Sequence, residues 1–460
     1  MRNLSLILIS FFTTIIYSQC NTVISAGRRH NILLKDNRVI ETWGNGINGF
    51  GALGLGITSN VLIPTPLSSQ INISKIFTGA YNSFVIKENG TLWATGDNED
   101  GQLGIGTFGS GNVSNVFVQI GTSADWKTIS ASSAHTLAIK IDGTLWAWGS
   151  NQQGKLGNRS MTSSYVPIQI GTDSDWKAVT GGLHYSVALK NNGTLWAWGL
   201  NEAVANNPFP TQIFIGGNDW KEISADSAGL HTLLLKNNGT LYVFGRTWSG
   251  GMGSLGLGAT IFVVINPVQI GTDSDWQSIS AGFNNSFAIK TNSTLWGWGQ
   301  NDLGQLGDGT QIDKLIPTQI GLDTDWLIVS PGSRHTIALK SNRAMYSWGD
   351  NSEAQLGNGN YNSSITPILI NSCTLSKEEF DENKFVIYPN PTKNILHIST
   401  KNNIENSLII IYDITGREVM KTKTSLEETT IDISNLKEGS YLVKNIIGGK
   451  IQSKLILKQN

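Results

Sequence analysis

Seven times the chain closes a strand-like segment with one phrase, clearest as Gly143-Thr144-Leu145-Trp146-Ala147-Trp148-Gly149 and Gly193-Thr194-Leu195-Trp196-Ala197-Trp198-Gly199. The closing glycines fall at Gly44, Gly96, Gly149, Gly199, Gly245, Gly299 and Gly349, in steps of 52, 53, 50, 46, 54 and 50 residues. A period near 50 marks a supersecondary unit that cannot bury its apolar surface alone and must stack on copies of itself. Upstream stands a second phrase, Trp126-Lys127-Thr128-Ile129-Ser130-Ala131 running into His135-Thr136-Leu137-Ala138-Ile139-Lys140, and downstream a third, Gly-x-Leu-Gly. One unit therefore holds about four short extended segments.

Leu145 and Ala147 alternate with Trp146 and Trp148 at period two between glycine-rich turns, which predicts strand rather than helix. Both faces of such a strand are apolar, so its sheet must be covered on both sides. A ring of four-stranded blades does this with each neighbour, and seven units predict an all-β, seven-bladed β-propeller over residues 20–371. Fourteen of the 15 tryptophans occupy three repeat-locked places and read as core, each stabilising by roughly 4–5 kcal/mol gross before entropy is subtracted. The Asp-Trp pairs that open most units read as structural.

With 51 glycines and only 15% charged residues, the composition suits a turn-dense β protein. Lysine and arginine total 33 against 34 acidic residues, so no positive excess points to nucleic acid. Residues 1–19 read as a secretory signal peptide, with Arg2 ahead of an apolar run from Leu4 to Tyr17 that is short for a membrane span. Gln19 and Tyr17 fit a lipoprotein signal poorly. The two cysteines, Cys20 and Cys373, flank the repeat array, whose ends a closed ring brings together; a disulfide between them is one expectation and two free thiols the other.

The recurring series Asp-Trp-x-x-Ile-Ser-Ala-Gly, His-Thr-x-Ala-x-Lys, Asp-Gly-Thr-Leu-Trp-Ala-Trp-Gly and Gly-Gln-Leu-Gly-x-Gly resembles the regulator of chromosome condensation repeat family over about residues 22 to 370. The resemblance implies the same seven-bladed propeller. Unit four departs from it, with Glu202-Ala203-Val204-Ala205-Asn206-Asn207-Pro208 in place of Gly-x-Leu-Gly. Units one and five carry longer loops, 10 and 11 residues from closing glycine to Leu-Gly glycine against 8 elsewhere. The fifth holds Trp248, the one tryptophan outside the repeat-locked places, close to Arg246, and the first holds Phe50. These three are the candidate ligand contacts, although a loop tryptophan also commonly folds back onto its own blade.

His30, His135, His231 and His335 share a repeat position with Asn82, Tyr185 and Asn285, which reads as polar scaffolding. No metal site, cofactor or catalytic residue is expected: no histidine pair has ligand spacing, Asp97-Asn98-Glu99-Asp100-Gly101 lacks the alternating ligands of a calcium loop, and no nucleophile elbow or phosphate loop occurs.

Tryptophan disappears after Ile370, and the polar stretch 372–384 reads as a linker. From 385 to 460 alternating strands predict a small C-terminal β-sandwich. Its Tyr388-Pro389-Asn390-Pro391 opening, Asp413 to Val419 turn, Gly439-Ser440-Tyr441-Leu442-Val443 strand and Lys454-Leu455-Ile456-Leu457-Lys458 close resemble the C-terminal sorting domain of the type IX secretion system of Bacteroidetes. That implies export through the periplasm, with the secretion machinery as a partner, to the cell surface or the medium. The expected role is a monomeric, non-enzymatic recognition or adhesion module binding a protein or glycan through propeller loops. The alternatives are a secreted inhibitor, as in a β-lactamase inhibitory protein of similar propeller type, and a polysaccharide-acting enzyme.

Overall fold

Period-two alternation produces four antiparallel strands per unit in chain order, as in Trp126–Ala131, His135–Lys140, Leu145–Gly149 and Ser164–Gln169 of blade three. The computed structural model describes residues 22–371 and 386–459, apart from breaks at 36–37, 47–49, 58, 68–71, 202–204, 215–216, 248–252, 259–260, 400–406, 414–416, 427 and 448–449. The signal peptide, Cys20, Cys373, the linker and Trp248 lie outside the described residues. Two compact units result, Met1–Cys373 and Thr374–Asn460.

Seven four-stranded sheets make up the first unit. Each first strand contacts the first strand of the next blade, and Trp326–Pro331 of blade seven contacts Val23–Ala26 of blade one, so a seven-bladed propeller closes around an axis lined by first strands. Between blades three and four, Leu137, Ile139, Leu145 and Ala147 of one sheet bury against Trp176, Ala188 and Trp198 of the other. Similar clusters fill the other six seams.

The Gly-x-Leu-Gly turn works between blades rather than within one. The Trp148 indole donates to the Gln102 carbonyl of the preceding blade at 2.9 Å, and Thr136 Oγ1 donates to the same oxygen at 2.8 Å. Trp198 finds Lys155, Trp298 Ser254, Trp348 Gln305 and Trp43 Gln355 in the same way. The indoles of these five seam tryptophans each have an acceptor, as burial of an N–H favours, whereas the buried indole N–H of the strand-opening Trp126, Trp176, Trp220, Trp276 and Trp326 has none among the described residues. Where unit four lacks the turn, blade five carries Phe244 instead, and an apolar ring needs none.

A second repeated device explains the Asp-Trp pairs. The Lys190 ammonium sits 4.8 Å from the ring centroids of both Trp176 and Trp196, and Asp173 and Asp175 hold it at 2.7 and 2.9 Å. Lys290 and Lys340 repeat the arrangement. Cation–π attraction and ion pairing together fix the base of these three blades.

In the second unit, Val386–Tyr388, Ile395–Ser399 and Glu428–Asp432 form one sheet, and Glu418–Thr424, Ser407–Asp413, Gly439–Ile447 and Lys450–Lys458 the other. Leu396, Ile398, Ile409, Ile411, Ile431, Val443 and Ile456 form their shared core, a small β-sandwich.

Candidate functional site

Antiparallel order places the loops between first and second strands, and those between third and fourth strands, on one face of the ring, here the upper face. The outer loops there are held against the next blade by their Gly-x-Leu-Gly turns. The two-residue tips of the inner loops surround the axis and differ from blade to blade, as Arg28-Arg29, Ala80-Tyr81, Leu183-His184 and Phe283-Asn284.

These tips assemble an aromatic and cationic row over the central opening. The Phe50 ring from the first-unit insertion stacks on Tyr81 with centroids 4.4 Å apart. The Arg28 guanidinium lies 5.3 Å from the Tyr81 centroid and 5.5 Å from that of Phe283, bridging blades one, two and six. All four side chains are half-buried. Blade five contributes a longer loop whose Ser227 carbonyl accepts from Ser133 N–H at 2.8 Å and whose Gly229 carbonyl accepts from Leu183 N–H at 3.1 Å. Beneath this roof, Ser25, Thr78, Ser130, Ser224, Ser280 and Ser330 help to line a polar cavity of about 180 Å³. Burial pushes the Asp226 carboxyl at its edge up to about 6, against the opposing pull of its own loop's N–H groups and of Arg28.

Phe50 and Arg246 stand on non-adjacent blades. Arg246 ends the third strand of blade five, and its charge joins that of Lys155 in lowering the pKa of His184, which burial depresses first. Burial lowers Lys155 itself to about 8. Tyr81, Arg28 and Phe283 escaped the sequence reading because they occupy variable tips with no motif around them. Among the described residues no group of three His, Cys, Asp or Glu side chains is placed to hold a metal ion.

The shared histidine position links blades. His30 pairs with Ser83 at 3.0 Å, His135 with Ser186 at 2.9 Å, His231 with Ser286 at 2.8 Å and His335 with Asn31 at 2.8 Å. The shorter Asn82 and Asn285 leave their amides without partners. Burial lowers His30 and His231 to about 4 and His335 to about 3. Because unfolded histidine takes its proton near 6.5, the unfolded chain binds more protons between pH 6.5 and 4, so this stability is complete above 6.5 and is lost as pH falls toward 4. Each such histidine withdraws about 3 kcal/mol. Asp226, raised to about 6, and Glu222, raised to about 7 by burial, act oppositely, losing stability as pH rises from about 4, but the histidines outnumber them. The melting temperature should therefore fall steeply between pH 6.5 and 4, and His231→Asn should flatten that slope; an unchanged slope would remove the histidines from the account.

The family model described as regulator of chromosome condensation (RCC1) repeat matches residues 89–139, 142–189 and 292–339, and a second model so described matches 73–102, 126–155, 276–305 and 328–355. The secretion system C-terminal sorting domain model matches 386–458. The chain is 28% identical over 295 residues to the ultraviolet-B receptor UVR8 of Arabidopsis thaliana, covering 63% of this chain and 56% of that protein. It is 33% identical over 301 residues to the human X-linked retinitis pigmentosa GTPase regulator, covering 63% of this chain and 29% of that protein. The match thus spans little more than half of the first relative and under a third of the second. Human WBSCR16 superimposes with a TM-score of 0.63 at 18% identity over 72% of this chain and 94% of its own. Prp20p from Saccharomyces cerevisiae, studied for its binding to Gsp1p and histones, gives 0.63 at 19% identity over 77% and 89%. At such identities the likeness concerns the fold.

Proposed function

From a chain that carries regulator of chromosome condensation repeats followed by a secretion-system C-terminal sorting domain, we propose an exported recognition and adhesion module that binds a protein or glycan through its upper loop face. The observation that carries this reading is the half-buried row Phe50, Tyr81, Arg28 and Phe283 on a rigid ring. Aromatic rings and arginine dominate binding hot spots because they bury much surface with little entropy to lose. Receptors and regulators among the relatives agree with binding as the use of this propeller. Arg246 is a second proposed contact on the same face, Trp248 remains a proposed contact outside the described residues, and Cys20 with Cys373 remains the proposed clasp of the ring.

A pull-down with the mature chain from cell-surface extract, alongside a glycan array, identifies the ligand. Tyr81→Ala and Arg28→Ala should each weaken its binding about 30-fold, a hot-spot effect, with the melting temperature nearly unchanged. Full binding by both variants would move the interface elsewhere. If the captured partner is an enzyme whose activity falls on binding, the module is an inhibitor using the same surface.

A further inference from the structure

Departures from the repeat that stand far apart in sequence meet on the flank of the ring, between blades three and four. The first is Arg159. Its counterparts Gly56, Gly106, Gly258, Gly309 and Gly359 hold φ between +72° and +85°. Each donates its N–H to the outer strand of the next blade, as Gly106 does to Tyr165 at 2.8 Å. Arg159 makes the equivalent bond to the Pro208 carbonyl at 2.8 Å and is thereby held at φ +63°, a left-handed conformation strained for any side chain. Arg38, Ser293, Arg343 and Ala354 also stand at repeat positions where glycine is usual, and Arg159 is the one among them that lines the cleft described next. Its guanidinium lies 4.8 Å from the ring centroid of Phe209.

Phe209 is the second departure, set between Pro208 and Pro210 in the irregular outer strand Ala205–Ile213 of blade four. The third is Gln169. Its counterparts Gln119, Gln269 and Gln319 fold back to donate to the carbonyls of Gly121, Gly271 and Gly321 at 3.1, 3.2 and 3.1 Å, whereas Gln169 makes no such bond to a described residue. The three side chains line one cleft of about 400 Å³ together with Trp196 and Asp173.

We propose that this cleft binds an acidic sugar, a pyranose ring bearing a carboxylate, as a uronate unit of a polysaccharide. Trp196 and Phe209 supply flat apolar walls for the C–H face of a sugar ring. The Gln169 amide and the Asp173 carboxylate, fixed by Lys190 at 2.7 Å, match its hydroxyls. The cation–π contact with Phe209 uses none of the guanidinium's N–H donors, which stay available to a carboxylate, a planar fork for a planar acceptor. No carboxylate of the described residues forms an ion pair with Arg159, so an anionic ligand completes the site where a neutral one does not. The cleft lies on a different surface from the upper-face row, and the two readings stand or fall separately.

Titration of the full mature chain with tetrasaccharides of galacturonate and glucuronate, against neutral cellotetraose and mannotetraose, tests the assignment by calorimetry and tryptophan fluorescence. The uronates should bind at least about tenfold tighter than the neutral sugars, and Arg159→Gly should lose about tenfold of that affinity. Since glycine is what five other blades carry there, the same variant should melt no lower than the parent, which separates lost binding from lost folding. Arg343→Gly, which removes an arginine from a left-handed repeat position of blade seven, should bind the uronates normally. Equal affinity for neutral and acidic sugars, unaltered binding by Arg159→Gly, no binding at all, or preferential capture of a peptide in the cleft would each overturn the proposal.

Discussion

Gly104→Ala is expected to destabilise the propeller by about 3–6 kcal/mol, far more than its one added methyl suggests. Gly104 holds φ +74°, and a Cβ there would lie 2.7 Å from Nε1 and 2.8 Å from Cδ1 of Trp148. The left-handed backbone costs about 1–2 kcal/mol for a residue with a Cβ. Forcing the indole aside adds about 1–3 kcal/mol of overpacking and removes the bond to Gln102, about 1 kcal/mol more. Gly121→Ala isolates the first cost, because Gly121 holds φ +55° with nothing near the new methyl. Denaturant midpoints should place Gly104→Ala well below Gly121→Ala. Equal losses would mean that the indole tolerates displacement and that the seam is not locked as described.

Glycines at the equivalent places of four other blades, Gly157, Gly256, Gly307 and Gly357, lie as close to Trp198, Trp298, Trp348 and Trp43. This shared geometry shows why the architecture was legible in the sequence and why part of its logic was not. Alternation at period two, glycine punctuation and a period near 50 all concern neighbours along one unit, so they predict blades, their number and their apolar faces. The indole–carbonyl lock joins residues of successive units, with Trp148 bonded to Gln102, and alternation is blind to it. One trace was present all the same: unit four lacks Gly-x-Leu-Gly and the next unit carries Phe244 in place of the tryptophan, although Thr95 replaces it in blade two where unit one keeps the turn. The histidine position read correctly as scaffolding, because a place shared by His, Asn and Tyr asks for a polar group without fixing one chemistry. The candidate sites were legible only in part. Phe50 stood out through an insertion, but Tyr81, Arg28 and Phe283 converge from three blades through ring closure. Arg159 and Phe209 meet only because one unit's loop packs on the next unit's outer strand. Contacts of that kind follow from the closed ring and from no segment of it.

Removal of residues 386–460 should leave a folded propeller that no longer reaches the cell surface or the medium. Among the described residues, the core cluster of the C-terminal sandwich comprises residues between Ile387 and Ile456, and the seven seam clusters comprise residues of the first unit. The truncated chain therefore keeps the seven described seam clusters, and its near-ultraviolet tryptophan dichroism should match that of the ring in the full chain. Fractionation should find it in the periplasm, and undiminished extracellular protein would defeat the sorting role of the tail. A point substitution asks whether that role needs the tail folded. Ile411 and Val443 are fully buried in the sandwich. A carboxylate placed there by Ile411→Asp must be desolvated without a partner, at a cost of several kcal/mol in a unit small enough to have little stability to spare. If export depends on the two-sheet surface, Ile411→Asp should be retained as completely as the deletion, while Leu426→Asp, at a site 65% exposed, should be exported normally. Export of Ile411→Asp at the normal rate would instead mean that the machinery reads extended segments of the tail and not its fold.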